Sequence, residues 1–342
     1  MHSSVHIQPD FSLSALNTFG IDVSARAYAA IHSVEDLITL RQDRGLAMMP
    51  RLVLGAGSNL LFMRDFPGLV LHMCMKGKSA SFDDEHQILV TAAAGENWHE
   101  FVLWTLDKGW GGLENLSFIP GTVGAAPIQN IGAYGAEVKD FVHSLRAFDF
   151  CTGQMRHFTK KDCQFAYRDS FFKQQGTNRH VIVDVTFSLA RLWQPNLSFA
   201  EVANVFAGRQ SSSLSPREIA SAITAIRERK LPNPEQTGNA GSFFKNPTIS
   251  GLFFQELKAV HPDMPGFKQA DDSFRVAAGW LIDQCGWRGK TSGNVGVYEH
   301  QALVLVNRGG AKADEIIALA NAIRQDVWDR FGIWLEAEPV FV

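Results

Sequence analysis

The sequence has few cysteines, and none of them has a spacing that suits a metal site. They form no Cys-x-x-Cys pair and no cysteine–histidine pattern of the kind that binds zinc. A disulfide scaffold is not expected either, because a chain of 342 residues can bury a core that folds without cross-links. We therefore predict no metal centre and reduced thiols at Cys74, Cys151, Cys163 and Cys285.

The sequence also lacks a targeting segment, a membrane-spanning segment and an excess of positive charge. Residues 1–14 contain no basic stretch followed by an apolar region. No apolar run approaches the roughly 18 residues that cross a bilayer. The formal net charge of −3 excludes an overall basic surface for nucleic acid. We therefore expect a cytoplasmic protein without membrane or nucleic-acid partners.

The pattern of apolar residues predicts a mixed chain of helices and strands. A single core rarely grows past about 250–300 residues, so a chain of 342 residues indicates two or three domains. Helical spacing is present at residues 34–40, 97–107, 213–230, 275–285 and 314–330. Runs of β-branched and aromatic residues predict strands at 27–31, 51–54, 68–73, 88–92, 143–150, 181–189, 302–306 and the C-terminus.

The helix at 213–230 has the clearest boundary signals. Ser215, Pro216 and Glu218 supply an N-cap, a proline in the first turn and the glutamate of a capping box. An apolar face then extends from Ile219 to Ile226. Leu231–Pro234 cannot continue the helix because it contains two prolines. We place a domain boundary there.

A first glycine-rich turn, Gly55-Ala56-Gly57-Ser58-Asn59, directly follows a predicted strand. It resembles a dinucleotide-binding fingerprint, but Leu60 occupies the position of the third glycine. No acidic residue about 20 positions further on fits the ribose-binding role. An ordinary Rossmann site is therefore disfavoured. Two interpretations stay open, a plain tight turn and a nest of backbone N–H groups that binds a pyrophosphate.

A second segment, Ile119–Gly135, is rich in glycine, alanine and proline and has no charged residue. Such a segment allows the backbone to come close to a flat or anionic ligand. The alternative is a buried irregular loop. Because two segments of this kind occur in one domain, we favour a large cofactor.

Several motifs together resemble the UDP-N-acetylenolpyruvoylglucosamine reductase family, in order and over nearly the whole chain from Asn17 onward. Besides the two glycine-rich segments, they are Asn17-Thr18-Phe19-Gly20, Gly95-Glu96-Asn97-Trp98, Tyr167-Arg168-Asp169-Ser170, Gly238–Pro247, Ala277–Asp283 and Trp334-Leu335-Glu336-Ala337-Glu338. Tyr167-Arg168 and the stretch 193–199 resemble the longer subclass of the family, which is typified by enteric bacteria.

The resemblance implies an α+β fold, with a two-domain FAD-binding part of the vanillyl-alcohol-oxidase (PCMH) type and a C-terminal α+β domain that binds substrate. Residues 1–76 would form the first FAD-binding subdomain and residues 77–231 the second. Residues 232–332 would form the substrate domain, and a strand at 333–342 would return to the FAD-binding part. FAD would lie between the first two domains, and the third would close over the flavin ring.

The resemblance further implies an FAD enzyme of peptidoglycan precursor synthesis that uses NADPH to reduce an enolpyruvyl UDP-sugar. We expect non-covalent FAD, because the glycine-rich segments contain neither histidine nor cysteine, and we expect a monomer. The cofactor-binding residues implied are Gly55, Ala56, Gly57, Ser58, Asn59, Pro120, Gly121, Thr122, Gly124, Ala125, Ile128, Asn130, Gly132, Ala133 and Tyr134.

Three residues are implied to be catalytic: Arg168, Ser242 and Glu338. A planar, permanently charged guanidinium suits a carboxylate clamp, although Arg168 in this setting could also be a surface residue paired with Asp169. Ser242 would protonate the substrate carbon, and its alternative is a turn cap. Glu338 is chosen over Glu336 by the family motif, on a predicted terminal strand.

Substrate would be bound by Phe199, Arg227, Lys230, Asn246 and Gln301. Lys230 ends a strong helix, where a cation is favoured in any case. Two positions depart from the family pattern: Phe199 replaces a usual tyrosine, and Pro339 follows Glu338 and cannot donate a backbone hydrogen bond. Two other functions stay open. One is a flavin oxidoreductase of the same fold that acts on an alcohol or sugar, and the other is a non-catalytic nucleotide-binding protein.

Overall fold

The computed structural model describes residues 5–82 and 87–342, with Phe82 described by its backbone alone. Residues 1–4 of the predicted first subdomain and residues 83–86 of the second lie outside the described residues. Up to residue 107 the elements are β1 (Ile7–Ser12), β2 (Ser24–Ile31), α1 (Val34–Gln42), α2 (Arg44–Ala47), β3 (Arg51–Leu54), β4 (Leu60–Leu61), β5 (Phe66–Met73), β6 (Lys78–Phe82), β7 (Gln87–Ala93) and α3 (Trp98–Asp107).

The rest of the chain alternates strands and helices in the same way. Up to residue 230 the elements are β8 (Gly132–Ala133), β9 (Ala136–Glu137), β10 (Val142–Asp149), β11 (Gln154–Thr159), β12 (His180–Ala190), α4 (Ala200–Val205) and α5 (Pro216–Lys230). Beyond it they are β13 (Gly238–Ser242), β14 (Thr248–Ile249), α6 (Gly251–Val260), β15 (Gly266–Lys268), β16 (Phe274–Val276), α7 (Ala278–Gln284), β17 (Thr291–Ser292), β18 (Val295–Val297), β19 (Val304–Asn307), α8 (Ala313–Phe331) and β20 (Val340–Phe341).

The chain divides into two compact units, and each combines segments that are distant in sequence. Unit 1 consists of Met1–Phe11, as far as it is described, Ala25–Ala56 and the described part of Pro67–Arg227. Unit 2 consists of Ser12–Ser24, Gly57–Phe66 and Glu228–Val342. The domain boundaries expected at 76, 231 and 332 stay a prediction.

The described part of unit 1 contains two larger sheets besides the short pair β8-β9. The first has the order β1-β2-β5-β3, with β3 parallel to β5. The second is antiparallel, has the order β11-β10-β12-β7-β6, and packs against α3. The face of α3 formed by Trp98, Phe101, Val102 and Leu106 is buried there, as its spacing predicts. Apolar burial of this kind is the main stabilising term for the unit.

The predicted end of α3 and the predicted capping signals of α5 are confirmed. Asn97 caps α3 by accepting from the Glu100 N–H, and the helix ends at Asp107, with Lys108 as its C-cap before a left-handed Gly109. At α5, Ser215 and Glu218 form the reciprocal capping-box bonds. The helix begins at Pro216 rather than at 213, because residues 211–213 form a separate 3-10 turn.

Unit 2 is built on the antiparallel sheet β13-β19-β18-β17, next to a small sheet β14-β16-β15. The long helix α8 covers 313–331 and ends at Gly332, whose φ of 65° is left-handed, as predicted. At the C-terminus β20 pairs in parallel with β4. Among the described residues, no helix has both the length and the apolar character needed to cross a membrane. The four cysteines are free.

Two element predictions in unit 2 are wrong. The helix expected at 275–285 begins only at Ala278, because Phe274–Val276 forms a strand that pairs with both β14 and β15. The terminal strand expected over 333–342 is reduced to Val340–Phe341. Before it, the chain makes an isolated bridge at Ala337 and then changes partner at Pro339, which has no N–H for a ladder.

Candidate functional site

The two glycine-rich segments meet within unit 1. A Cβ atom on Gly55 would lie 2.6 Å from the Thr122 hydroxyl oxygen, and a Cβ on Gly124 would lie 2.5 Å from the Ala94 side chain. Only glycine allows these backbones to come so close. The structure therefore brings the start of the first segment against the middle of the second, as expected of two parts of one binding surface.

The second segment is held along the start of α3 by backbone hydrogen bonds. Trp98 N–H donates to the Gly121 carbonyl at 3.1 Å, and Gly124 N–H donates to the Ala94 carbonyl at 2.9 Å. Val123 N–H donates to the Glu96 carbonyl at 2.9 Å. The segment is thus an ordered part of the unit, although it contains little regular secondary structure.

Arg168 lies on a tight turn that is hydrogen-bonded to the second glycine-rich segment. Its φ of 55° is in the left-handed region, which is uncommon for a residue with a side chain. Its Nη2 donates to the Gly132 carbonyl at 2.9 Å, and the neighbouring Ser170 hydroxyl donates to the Ile128 carbonyl at 2.6 Å. The Asp169 carboxylate accepts from the Ser170 N–H. The guanidinium therefore lies beside residues expected to bind the cofactor.

Arg227 and Phe199 belong to the same neighbourhood. Arg227 donates from Nε to the Phe118 carbonyl at 3.0 Å. Burial lowers the pKa of Arg227, the Tyr134 hydroxyl opposes that shift through a hydrogen bond, and the Arg168 charge lowers the pKa further. The Phe199 ring packs edge-on against Tyr134 at a centroid distance of 5.2 Å. Two guanidinium groups and two aromatic rings thus surround the end of the glycine-rich segment, an arrangement suited to an anion.

Two buried polar residues that sequence reasoning missed form hydrogen bonds with residues 193–199, the segment that contains Phe199. Glu114 accepts from the Trp193 indole N–H at 2.7 Å, and burial raises the pKa of this carboxyl group. Asn115 donates to the carbonyls of both Tyr134 and Asn196. An Asn side chain gives no motif when its partners are backbone groups 19 and 81 residues away. No local signal could have identified it.

In unit 2, Ser242 ends β13 at a bulge. The pairing of β13 with β19 shifts register between Asn239 and Ser242, and Gly241 takes a φ of 67°. The Asn239 side chain accepts from the Gly241 N–H at 2.9 Å. A bulge changes the direction in which the following side chain points. The half-buried Ser242 hydroxyl is therefore placed by the irregular backbone rather than by the regular strand.

Glu338 is placed next to Ser242 through the backbone. Its N–H donates to the carbonyl of Phe243 at 2.8 Å, and its carbonyl accepts from the Asn59 side chain at 3.3 Å. The competing Glu336 is exposed and pairs with Lys245 at 3.1 Å. The structure thus brings together Ser242, Glu338 and Asn59, although Asn59 lies 279 residues from Glu338 in sequence.

The Asn17–Gly20 motif lies between the first glycine-rich turn and β13. A Cβ on Gly57 would lie 2.0 Å from the Leu16 carbonyl oxygen, and one on Gly238 would lie 2.3 Å from that of Phe19. The Asn17 side chain bridges the Leu13 and Ile21 carbonyls and so fixes the turn. The motif supports the site, although sequence reasoning gave it no role.

Asn246 and Gln301 both lie at the start of α7. Asn246 Oδ1 accepts from the Ala278 N–H at 2.9 Å, and a Cβ on Gly279 would lie 3.2 Å from Gln301 Oε1. Lys230 is the half-buried last residue of α5. Among residues 5–82 and 87–342, no group of three or more histidine, cysteine or acidic side chains is placed to hold a metal.

Comparison with known proteins identifies the family. A profile of the UDP-N-acetylenolpyruvoylglucosamine reductase C-terminal domain matches residues 233–342, and one of an FAD binding domain matches residues 25–159. The UDP-N-acetylenolpyruvoylglucosamine reductase of Burkholderia mallei is 51% identical over 99% of this chain and 98% of its own length. That of Paraburkholderia phymatum is 51% identical over 97% of this chain and 96% of its own.

A solved structure has the same fold at lower identity. The crystal structure of UDP-N-acetylenolpyruvylglucosamine reductase from Thermus caldophilus matches with a TM-score of 0.66 and 21% identity, over 98% of both chains. The predicted fold class, an FAD-binding part followed by a C-terminal α+β domain, is confirmed. By its full-length identity to the curated relatives, the chain belongs to the UDP-N-acetylenolpyruvoylglucosamine reductase family.

Proposed function

We propose that this protein is a flavin-dependent reductase that converts the enolpyruvyl ether of UDP-N-acetylglucosamine to UDP-N-acetylmuramate with electrons from NADPH. The reaction belongs to peptidoglycan precursor synthesis, and we assign it to a cytoplasmic monomer. The observation that supports it most directly is the pair Arg168 and Arg227 beside the charge-free Ile119–Gly135 segment. Two guanidinium groups next to a bare backbone surface suit a substrate that carries a carboxylate and a diphosphate.

FAD fits the residues of unit 1. The close approaches at Gly55 and Gly124 leave a surface of backbone without side chains, which a flat ring system and a pyrophosphate can contact. Residues 120–134 would hold the cofactor together with the Gly55–Asn59 turn. When bound, FAD would take electrons from NADPH and would supply a hydride for the β-carbon of the enolpyruvyl group.

Arg168 binds the substrate carboxylate. When a hydride reaches the β-carbon, negative charge spreads from the α-carbon onto that carboxylate, and a guanidinium can stabilise it through two parallel hydrogen bonds. The bond from Nη2 to the Gly132 carbonyl orients the guanidinium before substrate arrives. Because the arginine does not have to be reorganised during the reaction, its stabilisation of the transition state is retained.

Ser242 donates the proton that completes the reaction at the α-carbon. A serine hydroxyl is a weak acid, so it acts only towards a strongly basic carbon and needs a polar neighbour that restores its proton. Glu338 is the backbone partner of Phe243, the residue after Ser242, and is the acidic group we assign to this part of the reaction. Ser242 and Glu338 therefore serve the proton transfer, while Arg168 stabilises the negative charge on the substrate carboxylate.

The remaining predicted residues bind the nucleotide end of the substrate. Lys230 supplies a charge for the diphosphate, and Asn246 and Gln301 supply amides at the start of α7. Phe199 covers the substrate with its ring, 37% exposed, but without the hydroxyl that a tyrosine would contribute. We expect this covering contact to be apolar.

Separate measurement of the two half-reactions tests the proposal. The purified protein should carry a flavin spectrum that NADPH bleaches and UDP-N-acetylglucosamine enolpyruvate restores under anaerobic conditions. Ser242→Ala should be bleached normally by NADPH but should be restored more slowly by about 10²–10⁴-fold, the usual contribution of a general acid. Restoration by a simple alcohol-derived ketone or sugar lactone, but not by the enolpyruvyl substrate, would instead indicate a different flavin oxidoreductase.

A further inference from the structure

Both amide hydrogens and the amide oxygen of Asn130 form hydrogen bonds with other residues of unit 1. Asn130 is completely buried, and its φ of 48° is left-handed. Its Nδ2 donates to the Ala166 carbonyl at 2.9 Å and to Glu137 Oε2 at 3.0 Å, while its Oδ1 accepts from the Lys139 N–H at 3.0 Å. An amide nitrogen has two hydrogens, and both are used here. The amide has no hydrogen left to donate to a cofactor.

Ala166 is the first residue of the turn that presents Arg168. The turn closes with hydrogen bonds in both directions between Ala166 and Asp169, at 3.0 and 3.3 Å. Arg168 is its third residue and has a φ of 55°. A left-handed conformation is unfavourable for a residue with a side chain. It persists only where the surroundings fix it, and the bond from Asn130 fixes the first residue of this turn.

The tip of Arg168 is fixed two residues further along the same segment. Its Nη2 donates to the Gly132 carbonyl, and a Cβ on Gly132 would lie 3.1 Å from Arg168 Nη1 and 2.9 Å from Glu137 Cγ. Glu137, which accepts from Asn130, pairs with Lys139 at 2.5 Å. The segment 130–132 therefore holds the base of the turn through Asn130 and the guanidinium through Gly132.

From these contacts we infer that Asn130 is a positioning residue for Arg168, and that its side chain is not a cofactor ligand. Its amide holds the backbone of the turn so that the guanidinium faces the substrate carboxylate. The inference rests on the proposed role of Arg168 in binding that carboxylate. It revises the expectation from the family resemblance, which counts Asn130 among the FAD-binding residues.

Two variants of Asn130 distinguish a positioning role from a role in binding the cofactor. Asn130→Gly removes the amide and tolerates the left-handed backbone. Asn130→Asp keeps the shape but turns two donors into an acceptor that faces the Ala166 carbonyl and the Glu137 carboxylate. In both variants, we expect FAD content and the rate of flavin reduction by NADPH to stay within about two-fold of the values for the natural protein. Reoxidation by the enolpyruvyl substrate should slow by about 10–100-fold, because a displacement of about 1 Å has effects of that size.

A double-mutant cycle with Arg168→Lys distinguishes positioning from a general loss of structure. If Asn130 acts through Arg168, Asn130→Gly should add little to the defect of Arg168→Lys in reoxidation. A purely structural role predicts that the two defects multiply. Asn178→Asp is the matched control, since exposed Asn178 has a φ of 58° and should leave both half-reactions unchanged.

Several results of these experiments would overturn the inference about Asn130. Weakened FAD binding with normal reoxidation of the FAD-loaded enzyme, or multiplying defects, overturns the inference. If one Asn130 variant does not fold, the other is put through the same cycle, and loss of folding in both assigns Asn130 a structural role and overturns it too. Normal reoxidation in Arg168→Lys alone would refute the proposed role of Arg168, and with it this inference. A slow Arg168→Lys beside a normal Asn130→Gly would refute the inference alone.

Discussion

The backbone N–H of Glu338 donates to the carbonyl of Phe243, the residue directly after Ser242, at 2.8 Å. The isolated bridge between Phe244 and Ala337 extends the same contact. The two residues proposed to handle the proton are therefore tied to each other by the backbone, without a contact between their side chains being required. Because backbone hydrogen bonds do not depend on side-chain identity, substitutions at either residue should leave this contact intact.

Glu338→Gln should slow turnover by about 10²-fold or more, the lower range for a group that acts in proton transfer. The substitution preserves shape, so FAD content should be unchanged. The matched control is Glu336→Gln, because the exposed Glu336 pairs with Lys245 and an exposed ion pair contributes little. Steady-state NADPH oxidation checks both variants. Equal activity of the two would remove Glu338 from the proposed mechanism.

Arg168→Lys should retain the positive charge but lose the planar fork that binds a carboxylate through two bonds. We expect reoxidation of the reduced flavin by substrate to slow by about 10²-fold, the size of effect that a misplaced catalytic group can have. Bleaching by NADPH should stay normal. Stopped-flow absorbance measures both steps. Arg217→Lys, at an exposed arginine that pairs with Asp107, is the control and should behave like the natural protein. A lysine enzyme with full reoxidation rate would contradict the assignment.

Gly57→Ala should destabilise the protein more than a left-handed backbone alone explains. Its Cβ would lie 2.0 Å from the Leu16 carbonyl oxygen, so the Leu16 backbone would have to move. Gly286→Ala is the matched control, since Gly286 has a φ of 71° and nothing lies within 4 Å of its added Cβ.

The control should cost about 1–2 kcal/mol in the free energy of unfolding, and Gly57→Ala about 1–3 kcal/mol more from overpacking. Urea unfolding measures both values. Equal losses would mean that the Leu16 turn adapts without cost.

Buried His180 should make unit 1 sensitive to mild acid. Its side chain is 1% exposed, Phe158, Phe171 and Phe172 pack around it, and the Asp149 carboxylate lies 3.8 Å from Nε2. Burial lowers the pKa of His180, and Arg179 and Arg156 lower it further, while Asp149 opposes them.

Because the folded-state pKa lies below the unfolded value of about 6.5, the stability that neutral His180 provides is complete above that value. It is lost as the pH falls towards the folded-state pKa. The free energy of unfolding should therefore decrease by up to about 1.4 kcal/mol per pH unit in this range.

Thermal unfolding at pH 7 and pH 5.5 checks the effect of acid. His180→Phe should show a smaller decrease than the natural protein, whereas His157→Gln, at an exposed histidine, should show the same decrease. The Asp149 carboxylate does not contribute in this range, because its bonds to Arg179 hold its pKa well below the usual value. An unchanged pH dependence in His180→Phe would rule out the buried imidazole as the cause.

The sequence was sufficient for elements whose signals are local. The capping box at Ser215 and the left-handed glycine after α8 lie within a few residues of the helix ends they define. It was also sufficient for the family, because the motifs occur in order along nearly the whole chain. It failed at Phe274–Val276, where pairing with β14 and β15 outweighs helical spacing.

What the sequence determined by itself is therefore the helices with clear caps, the two glycine-rich segments and the residue types that the chemistry requires. Tertiary structure alone decided the turn of Arg168, the use of Asn130 and the contact of Asn59 with Glu338. The physical reason is that these depend on hydrogen bonds between residues 36 and 279 positions apart. Such bonds leave no periodicity or local motif, because the partner is a backbone carbonyl that every residue has.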